Sequence, residues 1–92
     1  PSAFETESFL DGSAQLLGLK LAEDCAVLET PLRQLSELFS TLEAIVVGIR
    51  RNRTLFIPRP EDQLFAGDEV YIFCSKNDVA RIFEIFGKYG TI

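Results

Sequence analysis

Alternation of apolar and polar positions first becomes regular at Gln15. Leu17, Leu19 and Leu21 fall on one side of the run and Leu16, Gly18 and Lys20 on the other, the period-two pattern of a strand with one strongly apolar face. Glu23-Asp24 breaks the pattern. Thr30 then offers a helix cap, and Pro31 sits where a first helical residue tolerates a missing N–H. Leu32, Leu35 and Leu38–Phe39 recur at three-to-four spacing, which predicts a short amphipathic helix over 31–39. From Glu43 to Arg50 the chain is apolar without alternation, the mark of a strand covered on both faces. Arg51-Asn52-Arg53 reads as a tight turn, because Asn tolerates left-handed backbone angles. Thr54 to Ile57 returns from it to make a hairpin, which Pro58 and Pro60 end because neither can donate to a ladder.

The last strand spans Glu69 to Cys74, with Val70, Ile72 and Cys74 on one face and Tyr71 and Phe73 on the other. Ser75 and Asp78 stand at capping-box spacing. Val79, Ile82, Phe83 and Phe86 follow on a helical period, and Gly87 is placed to stop the helix. The element order is therefore β-α-β-β-β-α, an α+β fold with a four-stranded mixed sheet and two helices. Residues 1–14 mix acids, Gly12 and Ser13 with isolated aromatics and read as a connector without regular structure, leaving 15–92 as the domain.

Composition narrows the function more than it changes this picture. The chain has 92 residues, 47% hydrophobic and 25% charged, enough for one core and no second. Nine basic residues against 14 acidic ones give a net charge of −5, which argues against a nucleic-acid partner, since phosphate neutralisation needs surplus Lys and Arg. Histidine is absent, removing the usual base of nucleophilic catalysis and the commonest metal ligand. No enzyme is expected. Cys25 and Cys74 form no metal-ligand or CxxC spacing and read as small buried residues. The acidic pairs Glu23–Asp24, Glu61–Asp62 and Asp68–Glu69 lack any calcium-loop spacing and read as solvated turns. No apolar run approaches the roughly 20 residues of a membrane span, and no signal peptide is visible.

Two strands carry apolar side chains on both faces, whereas a chain this short buries only about 60–65% of its unfolded surface. Two helices cover one face of the sheet. Either residues 1–14 fold over the other or a second copy does, and a homodimer is the expectation. Arg50, Arg51 and Arg53 form the one concentration of positive charge in the sequence. Guanidinium groups match phosphate and carboxylate, so these three are the candidate contacts for a small anionic effector. In the 55–73 segment, Leu64 is placed to plug the core, Gly67 to take a backbone angle that a Cβ resists, and Asp68 to bond its own turn.

These pieces together resemble the TrkA C-terminal domain family, also called the RCK C-terminal domain. The resemblance rests on Thr30-Pro31-Leu32-Arg33-Gln34-Leu35, on Ala44 to Arg51, on Pro60 through Leu64 to Gly67-Asp68, and on Ile85-Phe86-Gly87-Lys88. It implies a dimer that serves as a cytoplasmic regulatory module of a potassium (cation) transport system, peripheral to the inner face of the plasma membrane, with a membrane-embedded transporter or channel subunit as partner. It also implies a separate upstream Rossmann-like subdomain that holds NAD or an adenine nucleotide, so no cofactor is expected within 1–92. Some relatives bind a ligand such as cyclic di-AMP between dimer partners, but no ligand motif transfers residue by residue. The alternative is a ligand-sensing domain of the same type attached to another transporter or to a transcription regulator, since fold alone does not fix function.

Overall fold

The computed structural model describes residues 2–87. Strand β1 (Ser2–Phe9) leads through a single 3-10 turn (Leu10–Gly12) into β2 (Ala14–Lys20). Helix α1 (Leu32–Leu38), the hairpin β3 (Ala44–Arg51) and β4 (Thr54–Phe56), and β5 (Glu69–Ser75) follow. A second 3-10 turn (Lys76–Asp78) opens helix α2 (Val79–Phe86).

The sheet has five strands in the order β1-β2-β5-β3-β4, each antiparallel to its neighbours. This corrects the expected four-stranded mixed sheet on two counts. The segment expected as an irregular connector pairs with β2 from Ser2↔Lys20 to Phe9↔Ala14. Its Glu5, Glu7 and Ser8 hide the strand from a hydrophobicity reading, but an edge strand needs only a ladder on one side. The crossover through α1 does join two strands of like direction, β2 and β3. They never touch, because β5 inserts between them and opposes both.

The core lies on one face. Leu17, Leu19, Ile49, Val70 and Ile72 have no exposed surface and pack with Leu35, Phe39, Ile82 and Phe86 from the helices. Phe39, just past the end of α1, and Phe86 of α2 place their ring centroids 6.0 Å apart, so this pair joins the end of α1 to α2 over the sheet. Leu64 is fully buried as the expected plug, and Gly67 has φ +88°.

Helix starts differ in detail from the sequence reading. Thr30 does not cap α1: its hydroxyl donates to the Leu28 carbonyl at 3.4 Å. The N–H groups of Leu32 and Arg33 donate instead to the carbonyls of Asp62 and Pro60, both at 2.9 Å, so the 60–64 loop supplies the acceptors that a side chain otherwise provides. Ser75 accepts from the Asn77 N–H at 3.3 Å, while the Asp78 carboxylate accepts from the Glu43 N–H at 3.0 Å. The box is open, and Asp78 pins the start of β3 to α2.

The outer face of the sheet is bare. Among the described residues of the single chain nothing covers the outer side of β3: Ile45 is 60% exposed, and Leu55 and Ile57 beyond it are 61% and 75% exposed. Strand β1 extends the sheet at its edge rather than folding over this face, and Phe9 packs beside Phe73 with centroids 5.9 Å apart.

Candidate functional site

Alternation along β3 sends consecutive arginines to opposite sides of the sheet. Arg51 points to the core side. Its Nε donates to Asp68 Oδ1 at 2.9 Å, and its Nη2 donates to Asp68 Oδ2 at 2.8 Å and to the Gln63 carbonyl at 2.9 Å. The guanidinium carbon lies 5.2 and 4.9 Å from the centroids of the Phe56 and Phe65 rings, within cation–π reach of both. Hydrogen bonding to Asp68 raises the Arg51 pKa above its ordinary value. Asp68 is 2% exposed and its Oδ2 also accepts the Phe65 N–H at 2.8 Å, the turn bond expected of it. Arg51 thus ties the β3–β4 hairpin to the Gly67-Asp68 turn, with its Nε and Nη2 donors committed to the protein.

Arg50 and Arg53 lie elsewhere. Asn52 and Arg53 both take positive φ, 52° and 68°, as the centre of a primed hairpin turn requires. The outward side of the hairpin then joins Arg50 and Arg53 to one groove of about 490 Å³. Gly48 lies in its floor. Leu16, Val47, Leu55, Ile57 and Tyr71 complete the lining. By strand register Arg50 stands with Leu55 at the hairpin end, while Leu16 stands level with Phe73 and Ile45 further along the sheet. Arg50 Nη1 is 3.6 Å from Glu69 Oε1, an ion pair beyond hydrogen-bond reach. Arg53 is exposed and makes no ion pair among the described residues. The structure therefore brings together two of the three candidate arginines and holds Arg51 apart.

A second depression of about 580 Å³ occupies the other end of the same face, where Leu10, Ile45 and Phe73 line it beside Glu43 and Lys76. Cys25 and Cys74 are buried and unpaired, and burial raises both thiols above their ordinary value, which keeps them protonated and unreactive. Among the described residues no three potential ligands cluster for a metal ion, and no helix is long and apolar enough to cross a membrane.

Sequence reasoning missed the groove because its key residue is a glycine. Gly48 pairs with Tyr71 on the neighbouring strand, and a Cβ at position 48 would meet Leu55 Cδ1 at 3.4 Å. A glycine inside an otherwise β-branched run was the available signal. Arg51–Asp68 left no comparable trace, since its partners are 17 residues apart.

Residues 16–87 match the TrkA-C domain profile. The Trk system potassium uptake protein TrkA of Azorhizobium caulinodans is 41% identical over 87 residues, which is 95% of this chain and 19% of that protein. The Trk system potassium uptake protein TrkA homolog of Archaeoglobus fulgidus is 29% identical over 87 residues, again 95% of this chain and 19% of that protein. The chain thus spans about a fifth of these relatives' length. Among solved structures, an RCK domain with cda superposes at a TM-score of 0.63 with 20% identity, covering 78% of this chain and 97% of that one. S. agalactiae BusR in complex with its busAB-promotor DNA superposes at 0.70 with 16% identity, covering 94% of this chain and 41% of that one. At such identities the two structures speak for the fold alone. The profile match runs from within β2 to the end of α2, and with the 41% identity across 95% of the chain it makes this chain a member of the TrkA-C domain family.

Proposed function

We propose that the chain is a regulatory module of a potassium-uptake system, working in the cytoplasm at the inner face of the membrane beside an embedded transporter subunit. The observation that carries this reading is the 41% identity to a potassium uptake protein over 95% of the chain. Support for a homodimer comes from the bare outer face, whose Phe9, Leu10, Ile45 and Phe73 form an apolar end suited to a second copy. Two modules so paired have a relative orientation, and an effector shifts that equilibrium only by its differential affinity for the arrangements, typically about 1–3 kcal/mol of coupling. Effector contacts belong to Arg50 and Arg53, since Arg51 is committed to Asp68. No catalytic step is assigned to the chain. An NAD or adenine-nucleotide cofactor belongs to a separate upstream subdomain, and the net charge of −5 weighs against nucleic acid as a partner of this module.

The test is potassium uptake in cells that depend on the intact parent protein. Removing residues 15–92 from it is expected to change the uptake rate or its response to conditions. Uptake identical with and without them overturns the reading.

A second reading, a ligand-sensing domain serving another transporter or a transcription regulator, is favoured by the shared fold with an RCK domain with cda and with DNA-bound BusR. The residues encoded upstream separate the two. A G-x-G-x-x-G strand–helix unit supports potassium-uptake regulation, and membrane spans or a DNA-binding unit support the second reading.

A further inference from the structure

We propose that the groove beside the β3–β4 hairpin binds a small amphiphilic oxyanion, a soluble phosphate or carboxylate with a flat apolar body. Arg50 and Arg53 hold the charged head, and Leu55, Ile57 and Tyr71 carry the body. The biological use of such a ligand rests on the regulatory reading above, whereas the site stands on its own geometry.

Three observations converge on it. Arg53 occupies a turn position at φ 68° that glycine or asparagine fills without strain. An arginine there gains nothing for the turn, and its guanidinium is free of ion pairs among the described residues. Arg50 is held only at 3.6 Å by Glu69, and Glu69 Oε1 is buried without a hydrogen-bond partner. At 3.6 Å the Arg50 guanidinium makes no hydrogen bond to Glu69, so its donors are open to an oxyanion while its charge stays beside that carboxylate, and a fork of N–H donors is the geometry in which guanidinium binds best. Gly48 keeps the floor open at a central position of β3, where a glycine weakens the strand. Its absent side chain leaves room beside Leu55 and Tyr71. The resulting volume, about 490 Å³, falls in the range of small-molecule sites, which pair a mostly apolar lining with a few polar groups.

The 92-residue chain is titrated calorimetrically with 1-naphthyl phosphate, with inorganic phosphate and 1-naphthol as the head and the body alone. The expected result is saturable one-to-one binding of naphthyl phosphate, at least tenfold tighter than either fragment. Arg50→Gln and Arg53→Gln should each weaken it at least tenfold. Arg59→Gln, which removes the same charge outside the groove, should leave it within twofold. All three positions are exposed, and circular dichroism confirms that the variants fold. Absence of saturable binding, equal loss in Arg59→Gln, or full binding in both groove variants overturns the proposal. Because this measurement needs no transporter, its failure leaves the uptake test standing, and failure of the uptake test leaves the groove standing.

Discussion

At the scale of single residues, Arg50, Arg51 and Arg53 are one charge cluster in the sequence and three different things in space. Arg51 works as a structural tie. Removing it leaves the Asp68 carboxylate, 2% exposed, buried without its cation, and breaking such a pair from one side costs about 3–5 kcal/mol. Because the Arg51 side chain is itself 31% exposed, Arg51→Ala is expected at the lower end, about 3 kcal/mol, read as a reduced urea midpoint at unchanged slope. A midpoint within error of the parent's would mean that the tie contributes nothing. The sequence announced Asp68 as a turn former and Leu64 as a plug because both roles are local. It could not announce the Arg51–Asp68 contact, which depends on the end of β3 meeting the turn that precedes β5.

Elements tell a similar story one level up. Strands β2 and β5 were legible because both bury one complete face, and the hairpin was legible from Asn52 at its turn. Strand β1 was not, since its pattern is polar and its stability comes from the β2 ladder beside it. The β3–β4 turn holds two side-chain-bearing residues at positive φ, and left-handed angles cost non-glycine residues roughly 1 kcal/mol. Arg53→Gly is therefore expected to stabilise the chain by about 0.5 kcal/mol or less, since the freer unfolded chain offsets about 0.4–1 kcal/mol of that relief. The same variant should lose naphthyl phosphate binding. Thermal unfolding and titration of this one variant separate the two effects, and a destabilised Arg53→Gly would show that the arginine serves the turn after all.

Across the whole molecule the two faces of the sheet have opposite characters. One is closed by α1 and α2 over a buried apolar core. The other leaves Ile45 at 60% and Leu10 at 75% exposure. The sequence showed that two helices cannot cover both faces, and the structure adds that the N-terminal strand lies in the sheet instead of across it. If the face is a pairing surface, light scattering at micromolar concentration should give twice the chain mass. Ile45→Glu should then halve it while moving the unfolding temperature of the separated chain by only a few degrees, since an exposed position contributes little to the core. A parent chain that scatters as about 10.3 kDa contradicts pairing.

The edge position of β1 also makes the domain mechanically anisotropic. Ser2 sits in the row of Lys20, Glu69 and Arg50, so tension reaching β1 through its first residue enters at the row that borders the arginine hairpin. Pulled along its axis, β1 shears against β2 and loads the whole ladder at once. Pulled sideways, it peels away one rung at a time, beginning at Ser2↔Lys20. The direction of a tug therefore decides whether the sheet transmits it as a rigid plate or yields by unzipping.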